Sequence, residues 1–345
     1  MKKVLIALVV LVVVAIAGVF GYFYVQDRRV ESFVTAPFGT PDTKTVEIPP
    51  GTPAPLIAKM LADAKVIASD DLAVAYLKRD KLGAKLKAGE YEFTGPLTPV
   101  QVFELVMSGK VKMHHFTVPE GLRVDETLPI LAASDMHLSL EKLQKLSTDP
   151  KFLKKAGVPA ANLEGFLFPD TYSFPKGKNE EDVLKKMVAR TIDEYQQAPK
   201  RAGIDYDLLQ GITMASIIEK ETGANELDEG RAHISCVFAN RLHDHTKLQT
   251  DPTVLYAKFL RNGTFNKSIF QSDLDFDHPY NTYRNQGLPP GPIASPGRGA
   301  IRAAMNPLSC KDVFFVANCD GTSTFCPDLK CHNAAVERYR KCKNR

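Results

Sequence analysis

The stretch ASIIEKETG, residues 215–223, carries acidic side chains at the end of an apolar helical pattern. Four positions share one helical face because they are spaced four, three and four residues apart: Leu208, Ile212, Ala215 and Glu219. Glu221 lies about 200° further around that helix and is predicted to face away from this stripe. The pattern therefore predicts that Glu219 lies on the buried face of its helix.

A carboxyl group in that position has two interpretations. Burial disfavours its charged form and raises its pKa, so that the group keeps a proton near neutral pH and can act as a general acid. The alternative is a structural ion pair, with Arg231 or Arg241 as the partner of Glu219. The residue pattern leaves both interpretations open.

A glycosidase ordinarily needs a second carboxylate as nucleophile or base. No pattern selects one among the nearby acids, which are Glu221, Glu226, Glu229 and Asp251. A single acid is sufficient if a substituent of the same sugar attacks C1, because one residue can then serve first as acid and then as base.

The N-terminus carries an uncharged apolar run over residues 4–25, after Lys2 and Lys3. About 20 such residues span a bilayer as a helix. A cleaved signal peptide is the alternative, with the small residues Ala15 and Ala17 at its end, but the apolar run continues beyond them. We predict a cytoplasmic tip and transmembrane anchor over 1–26 and a stalk over 27–44, with the remaining chain outside the cytoplasm.

The composition predicts a globular chain of more than one domain behind the anchor. Charged residues make up 24% of the sequence and the net charge is +4, which argues against a dedicated nucleic-acid-binding protein. The predicted fold class is α+β: a single N-terminal transmembrane helix, a small α/β subdomain, and a mixed α+β domain.

An imperfect internal repeat supports this division. Residues 46–62 align with 116–132 at an offset of 70, and each copy reads as a short strand, a Pro-x-Gly turn and a helix. Between the copies, residues 86–93 read as a strand, and a helix begins at Thr98 and Pro99. Such a unit occurs both in modules that bind extended ligands and in plain scaffold.

The second half contains an aromatic run and a long loop. NLEGFLFPDTYSFP, from residue 162, is interpreted either as core packing or as the wall of a sugar-binding groove, because aromatic faces stack on sugar rings. Helices are predicted over 179–197 and near 228–242. The prolines and glycines of residues 279–299 predict a rigid loop around a site.

The six cysteines divide into one and five. Cys236 is interpreted as a small buried residue of a helix. The other five fall in the last 36 residues, and their clustering predicts one or two disulfides, with Cys319 and Cys326 as the favoured pair across a closing hairpin. A zinc site of Cys326, Cys331 and His332 is conceivable, but the paired spacing of such sites is absent.

Seven blocks, in order along the chain, resemble the YceG-like family of endolytic murein transglycosylases, the MltG family. The blocks are NLEGFLFPDTY (162–172), ASIIEKET (215–222), VFANRL (237–242), LQTDPTVLY (248–256), YNTY (280–283), GLPPGPIASPG (287–297) and HN (332–333). The resemblance implies a LysM-like subdomain over 45–115 and a catalytic domain over 116–345. It also implies a single-pass protein of the inner membrane whose catalytic domain lies in the periplasm.

In this family, glycan strands are cut between N-acetylmuramic acid and N-acetylglucosamine, leaving a 1,6-anhydromuramyl end. The resemblance implies that Glu219 is the catalytic acid and then the base. Expected substrate-binding positions are Gln249, Thr250, Asp251, Tyr280, Asn281, Tyr283 and Asn333, with His332 beside the last. No cofactor and no metal are expected. The partners expected are peptidoglycan strands, penicillin-binding proteins and elongation machinery, with cleavage terminating nascent strands.

Two rival functions remain at this point. One is a non-catalytic peptidoglycan-binding module that anchors a wall-synthesis complex, as the strand-turn-helix repeat allows. The other is a conventional hydrolase in which water attacks C1, which needs a second carboxylate near Glu219. The mass of the products separates hydrolysis from anhydro-sugar formation.

Overall fold

The computed structural model describes residues 2–223 and 227–343, arranged in two compact units. The first unit comprises 1–114 and 174–177, and the second comprises 115–173 and 178–345. Glu226, one of the acids considered above, lies outside the described residues. The chain is mixed helix and strand, as predicted; the assignment of 45–115 as LysM-like stays a prediction.

The first unit begins with helix α1, Lys2–Thr35. Its segment Leu5–Thr35 is long and apolar enough to cross a membrane, and the residues before Val25 are largely exposed. The helix continues through the first part of the predicted stalk, because Val30, Phe33 and Val34 are spaced to share one face and are buried in the core of this unit.

A strand pair and three helices complete the first unit. Strand β1, Thr43–Ile48, is followed by α2, Ala54–Asp63, and α3, Asp70–Arg79. Strand β2, Gly89–Thr94, then pairs antiparallel with β1, so that Val46 lies opposite Tyr91. Helix α4, Pro99–Ser108, begins at the predicted position, where Thr98 and Gln101 form a capping box.

The remaining strands and helices belong mainly to the second unit. They are β3 (Met113–Thr117), α5 (Val124–Ala132), α6 (Leu140–Leu146), α7 (Pro150–Ala156), β4 (Thr171–Pro175), α8 (Glu180–Gln197), α9 (Leu208–Glu221), α10 (Asp228–His243), α11 (Asp251–Asn262), α12 (Gln271–Asp275), α13 (Arg298–Met305), β5 (Phe314–Ala317), β6 (Ser323–Cys326) and α14 (Leu329–Lys343). Strand β3 pairs with β4, and β5 pairs with β6. The helices predicted over 179–197 and 228–242 are confirmed as α8 and α10.

The internal repeat is confirmed as a structural repeat. In each copy a strand leads through a glycine turn into a helix, β1 into α2 and β3 into α5. Gly51 and Gly121 both have a left-handed backbone, with φ of 80° and 72°. Glycine adopts this conformation without steric cost, which is why the turn keeps it at the same point of both copies.

The aromatic run is part of the core. Phe166, Phe168, Tyr172 and Phe174 are each at most 4% exposed. Tyr172 stacks on Phe116 of β3 with ring centroids 5.5 Å apart. Side chains enclosed in this way cannot present their faces to a sugar, so the groove-wall interpretation is wrong.

Three disulfides confirm part of the cysteine predictions and correct the rest. Cys236 is buried in its helix, and the last 36 residues contain two bonds, as predicted. Cys236 is bonded to Cys310 rather than isolated in its helix. The predicted Cys319–Cys326 pair is also wrong: the bonds are Cys319–Cys342 and Cys326–Cys331. The register of the hairpin explains the error, because Cys326 lies opposite Phe314 while Cys319 lies in the turn.

Candidate active site

Helix α9 is the central helix of the second unit. A capping box of Asp207 and Gln210 begins it, and every residue from Gly211 to Ile218 is buried. It packs against α8, α10, α11 and α13. Because neighbours surround this helix, side chains on more than one of its faces are buried, and both acids in its last turn are half-buried.

Glu219, the predicted acid, is half-buried beside the loop that precedes α13. Its Oε2 accepts a hydrogen bond from the backbone N–H of Gly297 at 3.1 Å. Burial raises the pKa of Glu219, and the charge of nearby Glu120 raises it further, while the Gly297 hydrogen bond, Arg231 and Lys220 oppose the rise. Among the described residues, Glu219 makes no ion pair, so the structural ion-pair interpretation is not supported.

Glu120 is an acid that the sequence analysis missed. Its carboxyl lies against Gly297 so closely that a Cβ built there would be 2.0 Å from Oε1 of Glu120. Two carboxyl groups, those of Glu120 and Glu219, therefore contact the same glycine. The internal repeat could have identified this residue, because Glu120 is the middle residue of the Pro-x-Gly turn in the second copy.

Glu221, which the residue spacing places away from the Glu219 stripe, is half-buried as well. The Thr250 hydroxyl donates a hydrogen bond to its Oε1. Desolvation raises the pKa of Glu221 to about 7, and the neighbouring charge of Asp251 acts in the same direction, while Thr250 and Arg241 oppose it. The stripe identifies only one face of α9, whereas this helix is enclosed on several sides.

Glu221 lies in the wall of a cavity of about 400 Å³, referred to below as the Glu221 cavity. Its lining residues are Glu221, Phe238, Arg241, Leu248, Gln249, Asp251, Tyr283, Phe314, Phe315, Leu329 and His332. Three of the predicted substrate-binding residues are in this set: Gln249, Asp251 and Tyr283. Glu219 is not among its lining residues.

Within this cavity Asp251 and Tyr283 form a hydrogen-bonded pair. The Tyr283 hydroxyl donates to Oδ1 of Asp251 at 2.7 Å, and burial together with this carboxylate raises the pKa of Tyr283. Asp251 is the first residue of α11, with Thr250 at the N-cap and no capping hydrogen bond from a side chain. Asp251 is therefore not the N-cap of this helix.

The cavity also contains two basic side chains of different character, Arg241 and His332. Arg241 is held in place, since its guanidinium donates to the carbonyls of Val313 and Leu248 at 2.6 and 2.7 Å. Nδ1 of His332 is buried and has no hydrogen-bond partner among the described residues. Burial and the charge of Arg241 lower the pKa of His332, so its ring is neutral at neutral pH.

The other predicted residues lie outside the lining of the cavity. Asn281 is fully buried, and its amide donates to the carbonyls of Leu274 and Phe276, which organises the loop before Tyr283. Tyr280 packs on Tyr256 with ring centroids 5.0 Å apart. Asn333 is exposed on α14, one residue beyond His332.

Metal ligation has one geometric candidate in the described part of the chain. His233, Cys310 and Asp312 bring ligand atoms within 4.8 Å of one another. However, the sulfur of Cys310 is bonded to Cys236, and Nε2 of His233 is already 2.7 Å from Asp312. In the other cysteine site, Cys326 and Cys331 are bonded to each other and provide no thiolate for zinc.

A family model and two curated proteins are similar to this chain over most of its length. The YceG-like family matches residues 46–338. The chain is 33% identical over 327 residues to the endolytic murein transglycosylase of Bacillus subtilis, covering 88% of this chain and 87% of that protein. It is 29% identical over 341 residues to the protein of the same name from Streptococcus pneumoniae D39, covering 90% of this chain and 60% of that protein.

A solved structure is similar as well. The yceG-like protein lmo1499 from Listeria monocytogenes has 33% sequence identity and a TM-score of 0.54, covering 86% of this chain and 99% of that one. The family match extends over both units and includes Glu219, Glu221 and the blocks that line the Glu221 cavity. On this evidence the chain is a member of the YceG-like family.

Proposed function

We propose that this protein is a lytic murein transglycosylase that cleaves peptidoglycan glycan strands between N-acetylmuramic acid and N-acetylglucosamine. The observation that carries the proposal is the Glu221 cavity, in which a carboxyl of raised pKa shares a space with polar side chains. The name shared by the Bacillus and Streptococcus relatives supports the same activity.

The general acid in this proposal is Glu221. With a pKa of about 7, a substantial fraction of this carboxyl is protonated at neutral pH. The protonated form donates to the glycosidic oxygen as the bond from that oxygen to C1 of the muramyl residue breaks. The C6 hydroxyl oxygen of the same residue then bonds to C1, and its proton passes to the Glu221 carboxylate. The anhydro end forms without water, and Glu221 regains its proton.

Neighbouring groups have separate roles. The Thr250 hydroxyl orients the Glu221 carboxyl through its hydrogen bond and stabilises the charged form after proton donation. The pair of Asp251 and Tyr283 presents fixed polar atoms for sugar hydroxyls. Gln249 contributes an amide to the same cavity.

Glu219 stays a second candidate for the acid. Its pKa is raised by burial and by Glu120, as the acid's function requires, and it lies two residues from Glu221 on the same helix. Its carboxyl, however, contacts the Gly297 loop rather than the lined cavity. We therefore place Glu221 first and Glu219 second.

Asp251 gives specific support to a second reaction, conventional hydrolysis. It lines the same cavity as Glu221 and its charge acts on the pKa of that carboxyl. A carboxylate there could activate water against C1, as in inverting glycosidases. The two reactions differ only in what attacks C1.

Digestion of purified sacculi by the full-length protein in detergent tests the proposed function. We expect products with 1,6-anhydromuramyl ends, detected by mass spectrometry. Products heavier by one water would show hydrolysis instead. Binding to sacculi without release of any fragment would contradict both reactions and indicate a non-catalytic wall-binding module.

The remaining proposals concern placement in the cell. We propose that α1 anchors the protein in the inner membrane with both units in the periplasm, where three disulfides are chemically stable. The first unit is proposed as a LysM-like glycan-binding module, supported by its strand, two helices and antiparallel strand. Penicillin-binding proteins and elongation machinery are the proposed partners.

A further inference from the structure

A second cavity lies beside the Glu221 cavity and has a different chemical character. Its volume is about 280 Å³, and it is lined by Arg123, Lys220, Pro252, Leu255, Tyr256, Phe265, Lys267 and Ile293. Three of these side chains are cationic, the walls between them are mostly apolar, and its lining contains no acidic residue. We refer to it as the lysine cavity.

The charges of the three cations are not equally available. The Arg123 guanidinium donates to both carboxylate oxygens of Asp125 at 2.9 and 3.0 Å, and it lies between the rings of Phe259 and Phe265. Its charge is therefore neutralised within the protein.

The two lysines differ from Arg123 in this respect. Lys220 Nζ donates to the carbonyl of Gly121 at 3.0 Å, which is a neutral acceptor, and Lys220 forms no ion pair among the described residues. Lys267 is exposed and makes no ion pair within residues 2–223 and 227–343. Two lysines that line an apolar space and have no ion-pair partner in the described part of the chain favour an anionic ligand with apolar groups beside its charge.

The two cavities are adjacent through two pairs of consecutive residues. On α9, Lys220 lines the lysine cavity and Glu221 lines the Glu221 cavity. At the start of α11, Asp251 lines the Glu221 cavity and Pro252 lines the lysine cavity. Consecutive Cα atoms are about 3.8 Å apart, so the walls of the two cavities are close enough for one branched ligand to contact both.

Peptidoglycan has such a branch. The muramyl residue carries a short peptide through its lactyl ether, and this peptide combines carboxylates with small apolar side chains. We propose that the lysine cavity binds a carboxylate of this stem peptide, with Lys220 and Lys267 as the charged contacts and Leu255 and Phe265 against its apolar groups. The inference rests on the proposed function and adds to it a preference for strands that still carry peptides.

Kinetics with two substrates test the inference. Full-length wild-type protein and Lys267→Glu are compared on glycan strands with their stem peptides and on the same strands after amidase treatment. Lys151→Glu on α7 is the matched control, an equal charge change at an exposed site outside both cavities. We expect Lys267→Glu to raise KM on peptide-bearing strands about fivefold, with kcat little changed, and to leave cleavage of the peptide-free strands unaltered.

Direct binding gives a second measurement that does not depend on turnover. Wild type, Lys267→Glu and Lys220→Gln are titrated with a disaccharide-peptide fragment and with the disaccharide alone. We expect weaker binding of the peptide-bearing fragment to both variants, a difference that shrinks as salt is added, and no change for the bare disaccharide.

Several results would overturn the inference. Equal losses on both substrates would show a general defect, and unchanged KM and binding in both lysine variants would show that the lysines do not contact the peptide. Loss of binding to anionic phospholipid vesicles, with peptide-bearing strands cleaved normally, would assign the lysines to a membrane surface. A wild-type protein that cleaves neither substrate would instead contradict the proposed function itself.

Discussion

Glu164 and Glu221 are acids whose carboxyls are desolvated strongly enough to raise each pKa to about 7. Their surroundings differ. Glu221 faces a cavity, whereas Glu164 is 6% exposed and accepts hydrogen bonds from the backbone N–H of Val124 and the hydroxyl of Tyr256, both at 3.1 Å. We interpret Glu164 as a structural acid that joins the start of α5 to α11.

Glu164 makes stability depend on pH. Its pKa is raised on folding, so the folded protein holds the proton more tightly, and stability falls as pH rises from about 4.5 to about 7. Glu164→Gln does not titrate. We expect its stability relative to wild type to improve by about 3 kcal/mol between pH 5 and pH 8, measured by denaturant unfolding. A constant difference across this range would show that Glu164 is ionised at both ends.

Thr250 sets the protonation of Glu221 through its hydroxyl. This hydrogen bond lowers the pKa of Glu221, so Thr250→Val raises it further above the ordinary value. A general acid loses activity as pH rises through its pKa, and we expect the falling limb of kcat/KM to move to higher pH in Thr250→Val. Thr250→Ser keeps the hydroxyl and serves as the control. A limb that stays in place in both variants, or moves in both, would contradict this role.

At the level of single residues, the sequence predicted which residues the site contains better than it predicted where their side chains lie. The blocks around Gln249, Asp251 and Tyr283 supplied residues that share one cavity. The helical stripe pointed to Glu219 and gave no sign that Glu221 lines a cavity, because periodicity reports one buried face and cannot report a helix enclosed by several neighbours. Asn281 has a buried structural contact that no local pattern reveals.

Among the elements, the disulfide between Cys236 and Cys310 joins α10 to the segment before β5. Both elements supply walls of the Glu221 cavity, α10 through Phe238 and Arg241 and β5 through Phe314 and Phe315. The bond closes a loop of 74 residues, a length for which about 4 kcal/mol of stabilisation is expected. It therefore supports the wall of the proposed active site as well as the fold.

Removal of this disulfide should reduce both stability and activity. We expect the double variant Cys236→Ser and Cys310→Ser to unfold at lower temperature and to cleave glycan strands more slowly. The matched control is Cys319→Ser with Cys342→Ser, which opens the bond between the hairpin turn and the end of α14. An equal loss of activity in the two double variants would contradict a specific role for the Cys236–Cys310 bond.

Cysteine pairing and strand register could not be obtained from sequence in the same way as the helices. The helix start at Thr98 was visible as local chemistry, since a cap and its partner are three residues apart. The partner of Cys236 lies 74 residues away. Such a pairing depends on the packing of α10 against distant segments, and the sequence carries no local signal for it.

On the scale of the whole molecule, the anchor and the first unit share a helix. Helix α1 continues past its apolar run, and Val30, Phe33 and Val34 are buried in the core of the first unit. Arg79 of α3 also contacts Asp27 and Glu31 at 3.0 and 3.4 Å. The predicted boundary at residue 26 thus coincides with the end of the apolar run, but residues 27–35 belong to a folded unit.

Two truncations separate the role of α1 as an anchor from its role in the core of the first unit. A protein of residues 27–345 keeps the buried part of α1, and we expect it to be soluble and cooperatively folded. A protein of residues 36–345 lacks three buried apolar side chains, and we expect a lower unfolding temperature or aggregation, since each such loss costs about 2 kcal/mol or more. Equal unfolding temperatures for the two proteins would contradict the packing of α1 in this core.

The central claim is that Glu221 donates the proton that breaks the glycosidic bond. The most direct measurement is the rate at which 1,6-anhydromuramyl ends are released from purified peptidoglycan by wild type, Glu221→Gln and Glu219→Gln. Each variant replaces a single carboxyl group of the wild type by an amide. We predict that Glu221→Gln lowers this rate at least 100-fold, the lower range for losing a general acid, while Glu219→Gln retains measurable activity. Normal release by Glu221→Gln together with loss in Glu219→Gln would contradict the claim and assign the acid to Glu219.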